Sequence, residues 1–121
     1  MREGSERKGI IIVEYDDFLR EILGNLLHKM GYYIVSGESI AKVRKQLKQH
    51  PYHLAILGES VKDFYGKKTM REITHDTGNI RLDFFLITES GRNPLAAEEK
   101  QIPTEKLSLR KILHYVQSTL H

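Results

Sequence analysis

The chain alternates short, fully apolar runs with longer stretches whose apolar residues recur every three or four positions. "IIIV" (Ile10–Val13) is a continuous β-branched run, the pattern of a strand buried on both faces. The acidic "EYDD" breaks it. From Leu19 the apolar positions are Leu19, Ile22, Leu23, Leu26, Leu27 and Met30, which fall on one face of a helix. Asp16 or Asp17 can cap its start, and Gly31 stands where helices often end. "YYIVS" (Tyr32–Ser36) reads as a second strand. Ser39 can cap a helix that turns Ile40, Val43 and Leu47 inward and Lys42, Arg44, Lys45 and Lys48 outward.

"LAIL" (Leu54–Leu57) is the third strand, and it stops at Gly58. A loop, "GESVKDFYG", leads to a short helix with Met70 and Ile73 as its apolar positions. "DTGN" (Asp76–Asn79) is turn chemistry. "DFFLIT" (Asp83–Thr88) is the fourth strand. In "ESGRNP", Asn93 and Pro94 resemble an N-cap with proline at the first helical position, opening a short helix over "LAAEEK". "QIPT" is at best a stub of strand, and Pro103 marks it as an edge or as irregular. Ser108 can cap a last helix with Leu109, Ile112, Leu113, Val116 and Leu120 on one face. Strands and helices alternate throughout. This predicts an α/β fold, a doubly wound parallel sheet of about five strands between two helical layers.

Composition narrows the function classes. The 121 residues suit one domain, expected over 1–121, with residues 1–8 as a polar tail. There is no Cys, so no disulfide, thiol nucleophile or cysteine metal site. The six His lack the i, i+4 pairing of a zinc helix. The start carries no apolar signal region, and no apolar run is long enough for a membrane span; a soluble cytoplasmic protein is expected. Net charge is +3, with the cations spread over several segments. No basic run interleaves with aromatics, so nucleic acid is not the expected partner.

The order and spacing of six segments carry a resemblance. "IIIVEYDDFLREIL", "GYYIVSGES", "HPYHLAIL", "KDFYGKKTMREI", "FFLIT" and "KLSLRKIL" together resemble the receiver domain of bacterial response regulators, a flavodoxin-like (CheY-like) fold. The likeness runs from about Lys8 to Leu120. It implies two-component signalling by phosphotransfer to an Asp at the end of the third strand. It also implies a divalent cation held by acids after the first strand, which offsets the charge of the phosphodonor. A Thr or Ser after strand four and a Lys after strand five bind the phosphoryl oxygens.

Carried over residue by residue, the acceptor position falls on Gly58, with Gly66 fixing the register beyond it. The acidic pocket falls on Glu14, Tyr15 and Asp16. The switch position is Thr88. The Lys-Pro pair falls on Glu105 and Lys106, and the segment between Thr88 and the last helix looks several residues short, which shortens the fourth helix and fifth strand. The acceptor, the main metal ligand and the lysine are all altered. The expectation is a pseudo-receiver without enzymatic activity or cofactor, binding Mg²⁺ weakly if at all. It would act by binding other signalling proteins (a kinase, receiver or effector domain), with a homodimer left open. The face spanning Leu95 to Val116 is the expected contact surface. The simplest role for Gly58 itself is a strand-end glycine that permits an unusual turn. Alternatives are a phosphoacceptor displaced to Glu59, Asp16 or Asp63, a nucleic-acid-binding regulator and, by fold analogy, a flavin protein.

Overall fold

The structure is a computed structural model, and it describes residues 7–89 and 91–120. The polar tail expected over 1–8 lies largely outside the described residues. Five strands form one parallel sheet in the order β2-β1-β3-β4-β5. They are β1 (Gly9–Val13), β2 (Tyr33–Gly37), β3 (Leu54–Gly58), β4 (Asp83–Thr88) and β5 (Gln101–Pro103). Four α-helices connect and flank them: α1 (Asp17–Lys29), α2 (Ile40–Val43), α3 (Lys67–Thr77) and α4 (Leu109–Leu120). The doubly wound α/β architecture read from the sequence is the one observed.

Alternation along the central strands divides the core into two layers. Ile11, Val13, Ala55, Leu57 and Leu86 pack with Ile40, Val43 and Ile73, so α2 and α3 cover one face. Ile10, Ile12, Leu54, Ile56, Phe85 and Ile87 pack with Leu23, Leu27, Ile112 and Val116, so α1 and α4 cover the other. Every residue of β1 and β3 is buried, as expected of central parallel strands with helices on both sides.

Local signals set the helix ends. The Asp16 side chain accepts from the Leu19 amide and caps α1. The Ser39 hydroxyl accepts from the Lys42 amide and starts α2. Gly78 ends α3 in the left-handed region at φ 71°, where an L side chain is strained.

Three expectations need correcting. The helix predicted over "LAAEEK" is absent. A 3₁₀ turn at Glu98–Lys100 stands there instead, because the segment is drawn into side-chain hydrogen bonds described below. The helix after Ser39 is a single α-helical turn followed by a 3₁₀ turn at Arg44–Gln46, although Ile40, Val43 and Leu47 are buried as read. Asp76 and Thr77 belong to α3 rather than to a turn. The fifth strand is indeed a three-residue edge strand, paired only with β4.

Candidate functional site

The ends of β1, β3 and β4 converge where parallel α/β sheets place their chemistry. In register, Val13 lies beside Leu57 and Gly58 beside Ile87. Gly58 is the last residue of β3, and it pairs with β4 like any strand residue. Its φ is not in the positive region, which among the described residues is occupied only by Gly31, Gly66, Gly78 and Gly91. The turn-forming role expected of Gly58 is therefore not what favours glycine there. Space is the constraint. A Cβ built on Gly58 falls on the carboxylate of Glu14, too close to Oε1 for any real contact and 3.1 Å from Cδ.

Glu14, the first residue past β1, thus lies across the end of β3. Only 4% of it is exposed. Its Oε2 accepts from the Asp16 amide at 2.9 Å. Burial pushes its carboxyl above the usual range. The Asp16 and Tyr15 amides and the Arg20 cation pull the other way, while the Asp16 charge adds to the rise. Arg20 reaches back from α1 to the Glu14 carbonyl at 2.7 Å and pairs with Asp17.

The remaining positions are drawn into structural tasks. Tyr15 points outward, 69% exposed, and Phe18 beside it is 73% exposed. Asp16 caps α1. Thr88 is buried, and its hydroxyl donates to the Gly91 carbonyl at 2.8 Å, holding the loop that follows β4. Glu105 and Lys106 lie exposed on a 3₁₀ turn, Thr104–Lys106, after β5.

The acids named as displaced acceptors are likewise committed. Glu59 Oε1 accepts from the Glu89 amide at 2.9 Å and Oε2 from Asn93 Nδ2 at 2.6 Å. The carboxylate of Asp63 takes the Ile40 and Ala41 amides at 2.8 and 3.0 Å, bridging the β3–α3 loop to the start of α2.

A divalent cation of the kind that the resemblance implies does not fit this donor set. Such an ion needs several oxygen ligands in open geometry. Here Tyr15 faces away, Asp16 caps a helix, position 58 offers no side chain, and the Glu14 carboxyl is buried against the glycine. Among the described residues no group of three or more His, Asp or Glu side chains could hold a metal.

No protein-family model matches the sequence, and no curated protein matches it. Solved structures do. The chain is similar to a CheY-like response regulator receiver domain protein from Methanospirillum hungatei, with TM-score 0.76, 15% identity and 94% of each chain covered. It is also similar to the chemotaxis protein CheY4 of Vibrio cholerae, with TM-score 0.76, 10% identity, 93% of this chain and 98% of that one. A third likeness is to the beryllofluoride-activated NtrC4 receiver domain dimer, with TM-score 0.74, 14% identity, 92% of this chain and 94% of that one.

The chain has the receiver fold. Identities this low establish architecture, and the chemistry must be argued from this chain's own residues. Gly58 is the last residue of β3, the strand end to which the sequence reading assigned it. That reading missed the Glu14 carboxyl lying over the glycine. The only available signal was the paired departure, a longer acid at 14 and no side chain at 58.

Proposed function

We propose that this protein is a receiver-like signalling module of two-component type that takes no phosphoryl group at position 58 and acts by binding other proteins. The observation that carries this reading is Gly58 at the end of β3, with the Glu14 carboxyl in the space of an acceptor side chain. An acyl phosphate needs a carboxylate open to the donor, and the donor's charge needs a cation. The residues here supply neither. The module is therefore read as non-catalytic, without a cofactor and without a magnesium requirement.

A partner-binding role fits the face from Leu95 to Val116. A groove of about 980 Å³ runs there, between the segment after β4, β5 and α4. The half-buried Pro103 and Tyr115 lie along it, Arg110, Lys111 and His114 line its α4 side, and Glu98, Glu99 and Glu105 add acids. The expected partners are a kinase, another receiver or an effector domain. The solved NtrC4 receiver is a dimer, and a homodimer is one form this reading takes. No described helix is long and apolar enough to cross a membrane.

The alternatives lose ground on specific contacts. Glu59, Asp16 and Asp63 each have carboxylate oxygens tied to backbone amides. Part of the positive charge is answered by ion pairs at Arg20–Asp17, Arg44–Asp76, Lys68–Glu72 and Lys100–Asp83, which weakens the case for nucleic acid. The test is incubation with a small-molecule phosphodonor and magnesium, followed by intact-protein mass measurement. The expected result is an unchanged mass. A stable adduct of one phosphoryl group, mapped to any of these acids, overturns the reading.

A further inference from the structure

Glu14, the first residue past β1, is an acid kept from water. The carboxyl turns sideways from the end of β1 onto β3 and rests against Gly58. Three observations converge on it. Gly58 has ordinary strand geometry, so no backbone demand explains the glycine. A Cβ at 58 falls on Glu14 Oε1 and 3.1 Å from Cδ, while the next neighbour, the Val13 carbonyl, is at 3.5 Å, an ordinary contact. The carboxyl is held in place by the Asp16 amide at 2.9 Å.

We infer that the phosphorylation pocket of this receiver fold is plugged from within: Glu14 fills the volume of the absent acceptor side chain, and Gly58 is retained because the plug needs its space. This rests on the reading that no acceptor stands at 58, and it adds why a single substitution would not reopen the site. A side chain introduced at 58 must first displace the carboxyl, the far end of a flexible chain, against the hold of its amide partner and its burial. The charged groups facing it are Asp16 and Arg20. Gly37, whose carbonyl receives the Glu14 amide, and Gly58 bring none from β2 and β3.

A double-mutant cycle with a titration tests the plug. Gly58→Ala, Glu14→Ala and the double variant are compared by melting temperature. Groups in contact couple, whereas independent sites add. Gly58→Ala is expected to shift the melting temperature of the native background by on the order of 5 °C. In the Glu14→Ala background the same change is expected to be silent. In parallel, the Glu14 side-chain carbon is followed by NMR against pH. In the native protein it titrates above the ordinary carboxylate range, and in Gly58→Ala it returns to that range as the carboxyl moves into water.

Equal shifts in the two backgrounds, or a Glu14 titration unmoved by Gly58→Ala, overturn the plug. Should Gly58→Ala fail to fold, Glu14→Asp/Gly58→Ala, with an acid one methylene shorter, is expected to rescue it. No rescue also overturns the plug. The outcome is separable from the phosphodonor test: a phosphoryl adduct defeats the non-catalytic reading and leaves the cycle standing, and an additive cycle does the reverse.

Discussion

Asp63 lies in the loop between β3 and α3, yet both of its carboxylate oxygens serve a different element. Oδ1 and Oδ2 accept from the first two amides of α2, Ile40 and Ala41, and the Ser39 hydroxyl accepts from the third, Lys42. A helix start leaves its first amides without intrahelical partners, and α2 is a single turn with little else to hold it. The carboxylate also bridges to the β3–α3 loop, where Tyr65 is exposed. Asp63→Ala removes a cap made at a distance, and it is expected to cost about 1–2 kcal/mol. Urea denaturation followed by circular dichroism measures it. A midpoint equal to the native one would show that Ser39 alone caps the helix. Asp63→Asn, which keeps one acceptor oxygen, is expected to fall between the two.

At the scale of elements, the segment between β4 and β5 departs furthest from the pattern. It is held by side chains in place of a helix. Gln101 Oε1 accepts from the Asn93 amide at 2.6 Å, and its Nε2 donates to the Asn93 and Ala96 carbonyls at 2.8 and 2.7 Å. Asn93 in turn donates to Glu59 on the β3 side. Gln101→Ala is expected to leave the central sheet intact, to cost about 1 kcal/mol, and to expose the Asn93 amide to faster hydrogen exchange. Unchanged exchange at Asn93 would mean that the segment is held by its backbone.

This contrast explains what was legible beforehand. The faces of α1 and α4, the caps at Asp16, Ser39 and Ser108, and the buried runs of β1 and β3 rest on interactions within a few residues. Periodicity and capping chemistry report those directly. Asn93–Pro94 is a helix-start signal, and Asn93 Oδ1 does accept from Leu95. Gln101, eight residues on, then claims the same stretch of backbone. Such contacts leave no local pattern, and neither does the Glu14 carboxyl over Gly58, which joins residues 44 apart.

Across the whole molecule, the two ends of the sheet carry titratable groups, Glu14 buried and His53 half-buried, that respond to pH in opposite directions. At the end remote from Gly58, His53 ties three strands together. Its amide donates to the Gly9 carbonyl at 2.8 Å, its carbonyl accepts from the Asp83 amide at 3.1 Å, and its Nδ1 accepts from the Gly9 amide at 3.2 Å. An accepting Nδ1 carries no proton. Burial lowers the His53 pKa from its ordinary 6.5, and the Lys8 and His50 charges lower it further. The unfolded chain therefore binds more protons than the native one as pH falls below about 6.5, and stability is lost there. Glu14 runs the other way. Its folded pKa is raised from 4.5, so its contribution is fully present below that value and is lost as pH rises through the folded pKa. The two effects have opposite signs between the ordinary values of the two groups. His53→Asn separates them. An Asn oxygen can take the Gly9 amide in place of Nδ1 but does not titrate near neutrality. The variant is expected to match the native protein near pH 7. Between pH 6.5 and 4.5 it should gain stability relative to the native protein on acidification, with Glu14 left unopposed. Melting temperatures across that range check it, and parallel curves for the two proteins would show that His53 does not couple folding to pH.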